Sequence, residues 1–373
     1  MSRNIFIVLL LLGLQTGLTA QTSYLNNSYY LGLTDSCLRL TYSCSFEKAR
    51  SFQHKLDELT PGHPVPPFLE ALILYWEEFP LLPDNVLSKD FDALLDESVA
   101  RSAPLLEHSH TQLEGIFFDL FGRAFKAMFW ADNGKSAKAA TNLRHMYKRT
   151  KEGFLLTEDL SEFLFSTGLY NYYIEAFPEA HPIYKPLVSF MHEGDREKGL
   201  KQLNRAIHET VFLRVEATQF MALIQLNYEN DLNTAALYAE RLHREFPDNL
   251  YYGGLVTCVW LHQGRFEQAR GVQKQISTRN DPYSLMIGTL IQGFLAEKES
   301  GNEKQAGKAY QKLVSQAEAL GTIANMFAAM GNMGLSRLYE ARGLHGTARR
   351  YARRAEALTA YAFILDEGRM TDE

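Results

Sequence analysis

The densest group of side chains that could hold a metal is His108-Ser109-His110, flanked by Glu107 and Glu114. Two residues apart on a helix, the histidines would point in nearly opposite directions, so one ion could take both only in an extended loop. No HExxH occurs, and His192-Glu193 lacks a second histidine. Solvated loop histidines are therefore expected, with no metal and no cofactor. The carboxylate pairs Glu77-Glu78 and Asp96-Glu97 are adjacent in sequence, which suits an exposed helix face better than general acid–base work across a cleft. Nucleotide-binding glycine runs, GxSxG and a recognisable nucleophilic cysteine are all missing from the sequence. These residues predict a protein that is not an enzyme.

Three cysteines are too few for a disulfide scaffold. Cys37 and Cys44 would lie about 10 Å apart on one continuous helix, beyond the roughly 7 Å limit for a bridge, and could join only if the chain turns between them. Cys258 sits in the apolar run Leu255-Val256-Thr257-Cys258-Val259-Trp260, as a buried thiol would.

The first twenty residues carry Arg3, then an apolar run from Ile5 to Leu12, then small residues ending at Ala20. A basic start, a short greasy core and a small-residue end describe a secretory signal peptide, with cleavage expected after Ala20. The run is well short of the roughly twenty residues that span a bilayer. An exported chain, periplasmic or secreted, is the expectation, with no integral membrane segment after removal of the leader. Losing Arg3 from the 38 basic residues, against 44 acidic ones, leaves a net charge near −7. With no basic block, nucleic acid and anionic lipid are not expected partners.

From residue 180 onward one pattern recurs. The turn residues Gly194, Asn230, Gly264, Gly301 and Gly343 are spaced 36, 34, 37 and 42 apart. Five positions after each stands a small residue, Gly199, Ala235, Ala269, Ala306 or Ala348. Four before the turn stand Phe190, Leu226, Trp260 and Tyr339, while Glu297 breaks the series. A period near 34 with small and apolar residues on one helical face predicts stacked helix hairpins. The small side chains allow close approach, and Gly or Asn can take the left-handed backbone that ends a helix. Runs of alternating Val, Ile and Thr are missing, so no sheet is expected.

On these residues the chain resembles the tetratricopeptide repeat superfamily, most closely from Glu216 to Pro247, from Leu261 to Ala269 and from Leu335 to Ala348. The resemblance implies an all-α fold: an α–α superhelix, a solenoid of antiparallel hairpins, with an irregular helical N-terminal half. The expected division is a leader at 1–20, an irregular region with one or two hairpins at 21–179, and repeats with a capping helix at 180–373. In the irregular half, Tyr30 to Pro61 could form one hairpin turning near Cys44, and Phe117 to Lys151 another, with Trp130, Gly134 and Ala139 in the repeat roles. Seven of twelve prolines fall between 61 and 104 and predict short helices, such as Phe68–Phe79 and Phe91–Ala103, that pad or cap the solenoid. Asp366 to Glu373 are expected to fray.

The family's concave groove positions fall here on Tyr184, Met191, His192, Phe220, Asn227, Tyr228, Tyr251, His262, Arg337 and Glu340, with Ile291 and Lys298 beside them. Aromatic, Met and polar groups in that mixture suit a protein or peptide partner. The family's chaperone-tail clamp is not expected, because Tyr184, Phe220, Gly254, Ile291 and Met333 occupy the site of its leading lysine. Two binding functions are weighed: an exported scaffold or adaptor that takes a protein or peptide on its concave face, and a glycan- or nutrient-binding repeat protein working with an outer-membrane transporter. The second is suggested by the tyrosine content and opposed by the missing lipid-anchor cysteine. The partner's identity and the oligomeric state stay open.

Overall fold

A computed structural model describes residues 23–189 and 191–368; the expected signal peptide, Phe190 and residues 369–373 lie outside the described residues. Among those described, every regular element is helical and no strand occurs. Eight antiparallel hairpins follow one another. They are α1 (Ser28–Tyr42) with α2 (Phe46–Leu59), α3 (Val65–Glu77) with α4 (Ser88–Ser102), and α5 (Gln112–Asp132) with α6 (Leu143–Leu156). Next come α7 (Phe163–Ala180) with α8 (Arg196–Glu209), and α9 (Arg214–Asn227) with α10 (Leu232–Glu245). The last three are α11 (Leu250–His262) with α12 (Phe266–Ile276), α13 (Pro282–Phe294) with α14 (Glu303–Leu320), and α15 (Asn325–Ala341) with α16 (His345–Leu358).

Local sequence explains where these helices begin and end. The side chains of Asn27, Asp195, Asp231, Asn249, Asp281 and Asn302 each accept a backbone N–H at a helix start. Each such cap is worth about 1 kcal/mol. Turn positions Asn230, Gly264, Gly301 and Gly343 adopt positive φ, as do Cys44 and Gly134 in the N-terminal half. At Gly134, Gly264 and Gly343 the next residue's N–H reaches back five positions to a helical carbonyl, closing the helix end. The small residues Ala49, Ala235, Ala269, Ala306 and Ala348 are buried where hairpin helices cross.

Gly194 departs from the pattern. The partner of α8 is not a helix ending at Phe190 but α7, which ends at Ala180, so the hairpin straddles the expected division at residue 180. Pro182 and Pro186 break the intervening chain into short turns, Pro182–Tyr184 and Lys185–Val188. Gly194 is required for contact instead of left-handed backbone: a Cβ there would collide with Ile174 and the Asn171 carbonyl. A Cβ on Gly199 would lie 2.7 Å from the Tyr172 nitrogen and 2.8 Å from the Gly168 oxygen, so two glycines let α7 and α8 cross closely.

The hairpins form two layers. Outer helices such as α10 bury only a narrow stripe, Ala235, Ala236, Ala239 and Leu242. Inner helices are buried nearly all round; in α11 every residue from Tyr252 to Leu261 is buried. One side of α11 faces the outer layer, and the other is covered by the N-terminal half. Trp76 packs on Tyr251 and Tyr252 with ring centroids 5.9 and 5.6 Å apart, Phe79 on Tyr283 at 5.1 Å, and Phe68 on Phe212 at 6.3 Å. The Tyr42 hydroxyl donates to Glu216, and the Asn249 amide donates to the Tyr42 carbonyl at 3.2 Å. At the other end of the curve, Gly134 touches Thr322 in the turn before α15.

The expected open concave face is therefore closed by the chain itself. The proline-rich segment does not merely pad an end: Pro66 and Pro67 occupy the first turn of α3, where the missing N–H costs nothing, and launch a helix buried from Val65 to Tyr75 at every position but Glu70. In place of a full capping helix, the C-terminus makes a four-residue turn, Ala362–Leu365, that folds back toward α9 and α15. Far from fraying at 366, it is pinned by Glu367 to Arg337 at 2.7 Å.

Candidate functional site

Between the inner helices and the N-terminal half lies a chamber of about 380 Å³. Helix α3 contributes Tyr75 and Trp76, and the following loop Phe79; α5 contributes Phe125, Met128 and Asp132. From the repeats come Glu216, Gln219, Phe220, Leu223 and Asn227 on α9, Tyr251 and Leu255 on α11, Tyr283 on α13 and Phe327 on α15. The extended segment after α16 adds Thr359 and Tyr361. Each inner helix reaches the chamber because the hairpin stack turns the same face of every repeat inward.

Two acids stand in this aromatic wall. Asp132 ends α5 deep among protein atoms and keeps an intermediate exposure. No hydrogen bond or ion pair reaches its carboxylate among the described residues, and burial pushes its pKa up to about 6. Its charge reaches Tyr75, Tyr251 and Tyr361, whose hydroxyls are pushed up first by burial and then by that charge. Glu216 is more deeply buried and is raised to about 7, chiefly by burial, against the Tyr42 hydrogen bond. Its Oε2 has no hydrogen-bond partner, and neither has Oδ1 of Asn227. Among the described residues, lysine and arginine are missing from the chamber lining.

A second polar cluster lies on the same concave side, under the C-terminal turn. Arg337 donates to both oxygens of Glu297 at 2.7 Å and to Glu367 at 2.7 Å, and the Tyr310 hydroxyl donates to Glu297 at 2.5 Å. Burial opposes ionisation of Glu297, but Arg337 holds its pKa below the usual carboxylate range. The break in the repeat pattern at Glu297 thus has a cause: a polar residue occupies the apolar position because arginine and tyrosine satisfy it. His262 is sealed here too, its Nδ1–H donating to the Cys258 carbonyl at 2.7 Å between Phe294 and Phe363.

The expected groove residues therefore separate. Phe220, Asn227 and Tyr251 line the chamber. Tyr228 stands behind it, against Tyr361 with ring centroids 6.1 Å apart. His262 and Arg337 are consumed by the cluster just described, and Lys298 lies at its edge with Nζ 4.0 Å from Glu367. Ile291 is fully buried core. Met191 is half-buried, and His192 is exposed outside the chamber, its carbonyl accepting from the Tyr170 hydroxyl at 2.6 Å. Glu340 is exposed and pairs with His345 at 2.5 Å. Tyr184 belongs to the short turn after α7, and its side chain lies outside the described part of the molecule.

Sequence reasoning missed Trp76, Phe79 and Asp132, since nothing local marks helices from one end of the chain as facing repeats from the other. Glu114, expected to flank a loop, is instead buried against His63 at 2.6 Å and Ser23 at 2.6 Å, tying the start of the described chain to α5. The three cysteines are free, with Cys37 and Cys258 buried.

No protein-family model and no curated protein matches the chain. Among solved structures, a monomeric mutant of IFIT1 with Gppp-AAAA is similar at a TM-score of 0.42 and 15% sequence identity, covering 85% of this chain and 68% of that one.

Proposed function

We propose that this chain is an exported, non-enzymatic binding protein whose helical-repeat scaffold captures a small organic ligand between its inner helices and α3. The observation that carries this reading is the aromatic chamber that holds Asp132 without a partner among the described residues and Glu216 with one oxygen free. Its volume sits at the lower end of small-molecule sites, which commonly span about 300–1,000 Å³. The walls come from separate, well-packed helices, which limits the ordering cost of binding. Export rests on the pattern of the first twenty residues, and the non-enzymatic part on the missing nucleophile–base motifs. A thermal-shift screen of small metabolites tests the reading: at least one compound should raise the melting temperature by several degrees, and Leu223→Trp, which fills the chamber, should abolish that shift. A screen in which no compound acts, or in which the filled variant responds equally, sinks it. Fusing residues 1–20 to a reporter tests export directly.

A peptide or protein partner is the second reading, favoured by one feature. Thr359 to Tyr361 already runs extended along the concave side, with Thr359 at φ −154° and ψ 155°. A partner's extended segment would displace this stretch. A variant ending at Leu358 should then capture more partner by crosslinking in intact cells; equal or lower capture counts against it.

A further inference from the structure

Resting on the chamber reading above, the geometry points to a narrower ligand class. We infer that the chamber binds a small organic cation, an amine or quaternary ammonium ion, which lies against the rings of Trp76, Phe79 and Tyr251 and meets the Asp132 carboxylate.

Charge is the first argument. Among the described residues the lining holds Asp132, Glu216 and His181, and no lysine or arginine. Elsewhere, Arg337 answers Glu297 and His63 answers Glu114, while Glu162 is held only by the backbone N–H groups of Val211 and Phe212. Asp132 is left without a donor or a cation among the described residues, and Glu216 has one oxygen covered by Tyr42 and the other free of partners. A buried charge without a partner is costly and persists where something outside the chain completes it.

The second argument concerns tryptophan. The chain has three. Lys138 lies 3.7 Å over the Trp130 ring, and the Arg265 guanidinium 5.6 Å over the Trp260 ring. Trp76, the one in the chamber, carries no cation of the protein's own among the described residues. Tyr75, Tyr251 and Tyr283 around it present hydroxyls without hydrogen-bond partners among the described residues. Electron-rich ring faces with a carboxylate beside them are the chemistry that holds ammonium ions. The same negative lining disfavours phosphates and nucleic acid. A metal ion would need several oxygen or nitrogen ligands at one point, and no group of three such residues stands together among the described residues.

The test is calorimetric titration of the full mature chain at pH 8 with choline and with phenethylammonium, each beside its neutral isostere, 3,3-dimethylbutan-1-ol and 2-phenylethanol. At least one cation should bind tenfold or more tightly than its isostere. Asp132→Asn should remove that preference, and Asp132→Glu should restore part of it. Lowering the pH to 5 should weaken cation binding several-fold as Asp132 takes up its proton; Tyr75, Tyr251 and Tyr361 face it, and Glu216 and His181 share the chamber. Equal binding of cation and isostere overturns the inference while leaving a neutral-ligand chamber standing. Binding by none of the four overturns it too, and the metabolite screen then decides the chamber itself.

Discussion

Two buried polar groups share the concave side of this molecule, and they are built in opposite ways. Under the C-terminal turn, Arg337 answers Glu297 and Glu367 through three hydrogen bonds, and the cluster is complete within the chain. In the chamber, Asp132 and Glu216 stand among aromatic rings with no lysine or arginine in the lining among the described residues. Arg337 and His262 in the first, and Phe220, Asn227 and Tyr251 around the second, hold positions that the repeat register assigns to a binding groove. The difference teaches that groove position alone does not identify a site: a charge already satisfied stabilises the fold, and an unsatisfied one burdens the fold until something binds.

The largest test of that contrast is Arg337→Met. It strands two acids in a closed cluster and should cost about 4 kcal/mol, read as a lowered urea midpoint at pH 7. A change under about 1 kcal/mol would show that the cluster is not the structural one. Asp132→Asn should act in the opposite direction. The folded-state pKa is raised to about 6 from 3.8, so the neutral acid's contribution is full below the unfolded value and is lost as pH rises through 6. Allowing for its partial contact with solvent, the asparagine variant should be more stable than the parent by about 2 kcal/mol at pH 8. That advantage should vanish by pH 3.5, and a melting difference that persists there breaks the comparison. Glutamate 297 supplies the mirror image: its depressed pKa gives stability present above its unfolded value and lost as pH falls through the folded one.

Smaller effects sharpen the picture. Glu367→Ala removes one of Arg337's two acidic partners and should cost about 1.5 kcal/mol, with faster amide exchange through residues 362–368. Protection unchanged in that stretch would mean that the turn is held by Phe363 and Ile364 alone. Gly264→Ala touches neither cluster. Its Cβ would meet nothing within 4 Å, but φ is +69°, so the backbone alone should cost about 1 kcal/mol. The cost should be the same at pH 4 and pH 8.

Much of the fold was legible from residue types alone. Asn230, Gly264, Gly301 and Gly343 marked helix ends, and the alanines five positions later marked helix crossings, because each depends only on neighbours within one hairpin. Cys44 and Gly134 showed the same signal in the irregular half. Legibility failed first at Gly194, where the resemblance supplied a helix that Pro182 and Pro186 prevent. It failed more seriously at Trp76 and Asp132. Phe220, Asn227 and Tyr251 were found as groove residues, but the sequence offered no means of separating them from Arg337 and His262.

The sequence by itself determined an all-helical chain of hairpins and where most of them turn, since period, capping and left-handed turns are local properties of the backbone. Only the tertiary structure decided that α3 closes the curve and which buried charges find partners. Those outcomes rest on contacts such as Trp76 with Tyr251 and Tyr42 with Glu216. Each joins residues more than a hundred positions apart, where no spacing rule reaches and packing alone chooses.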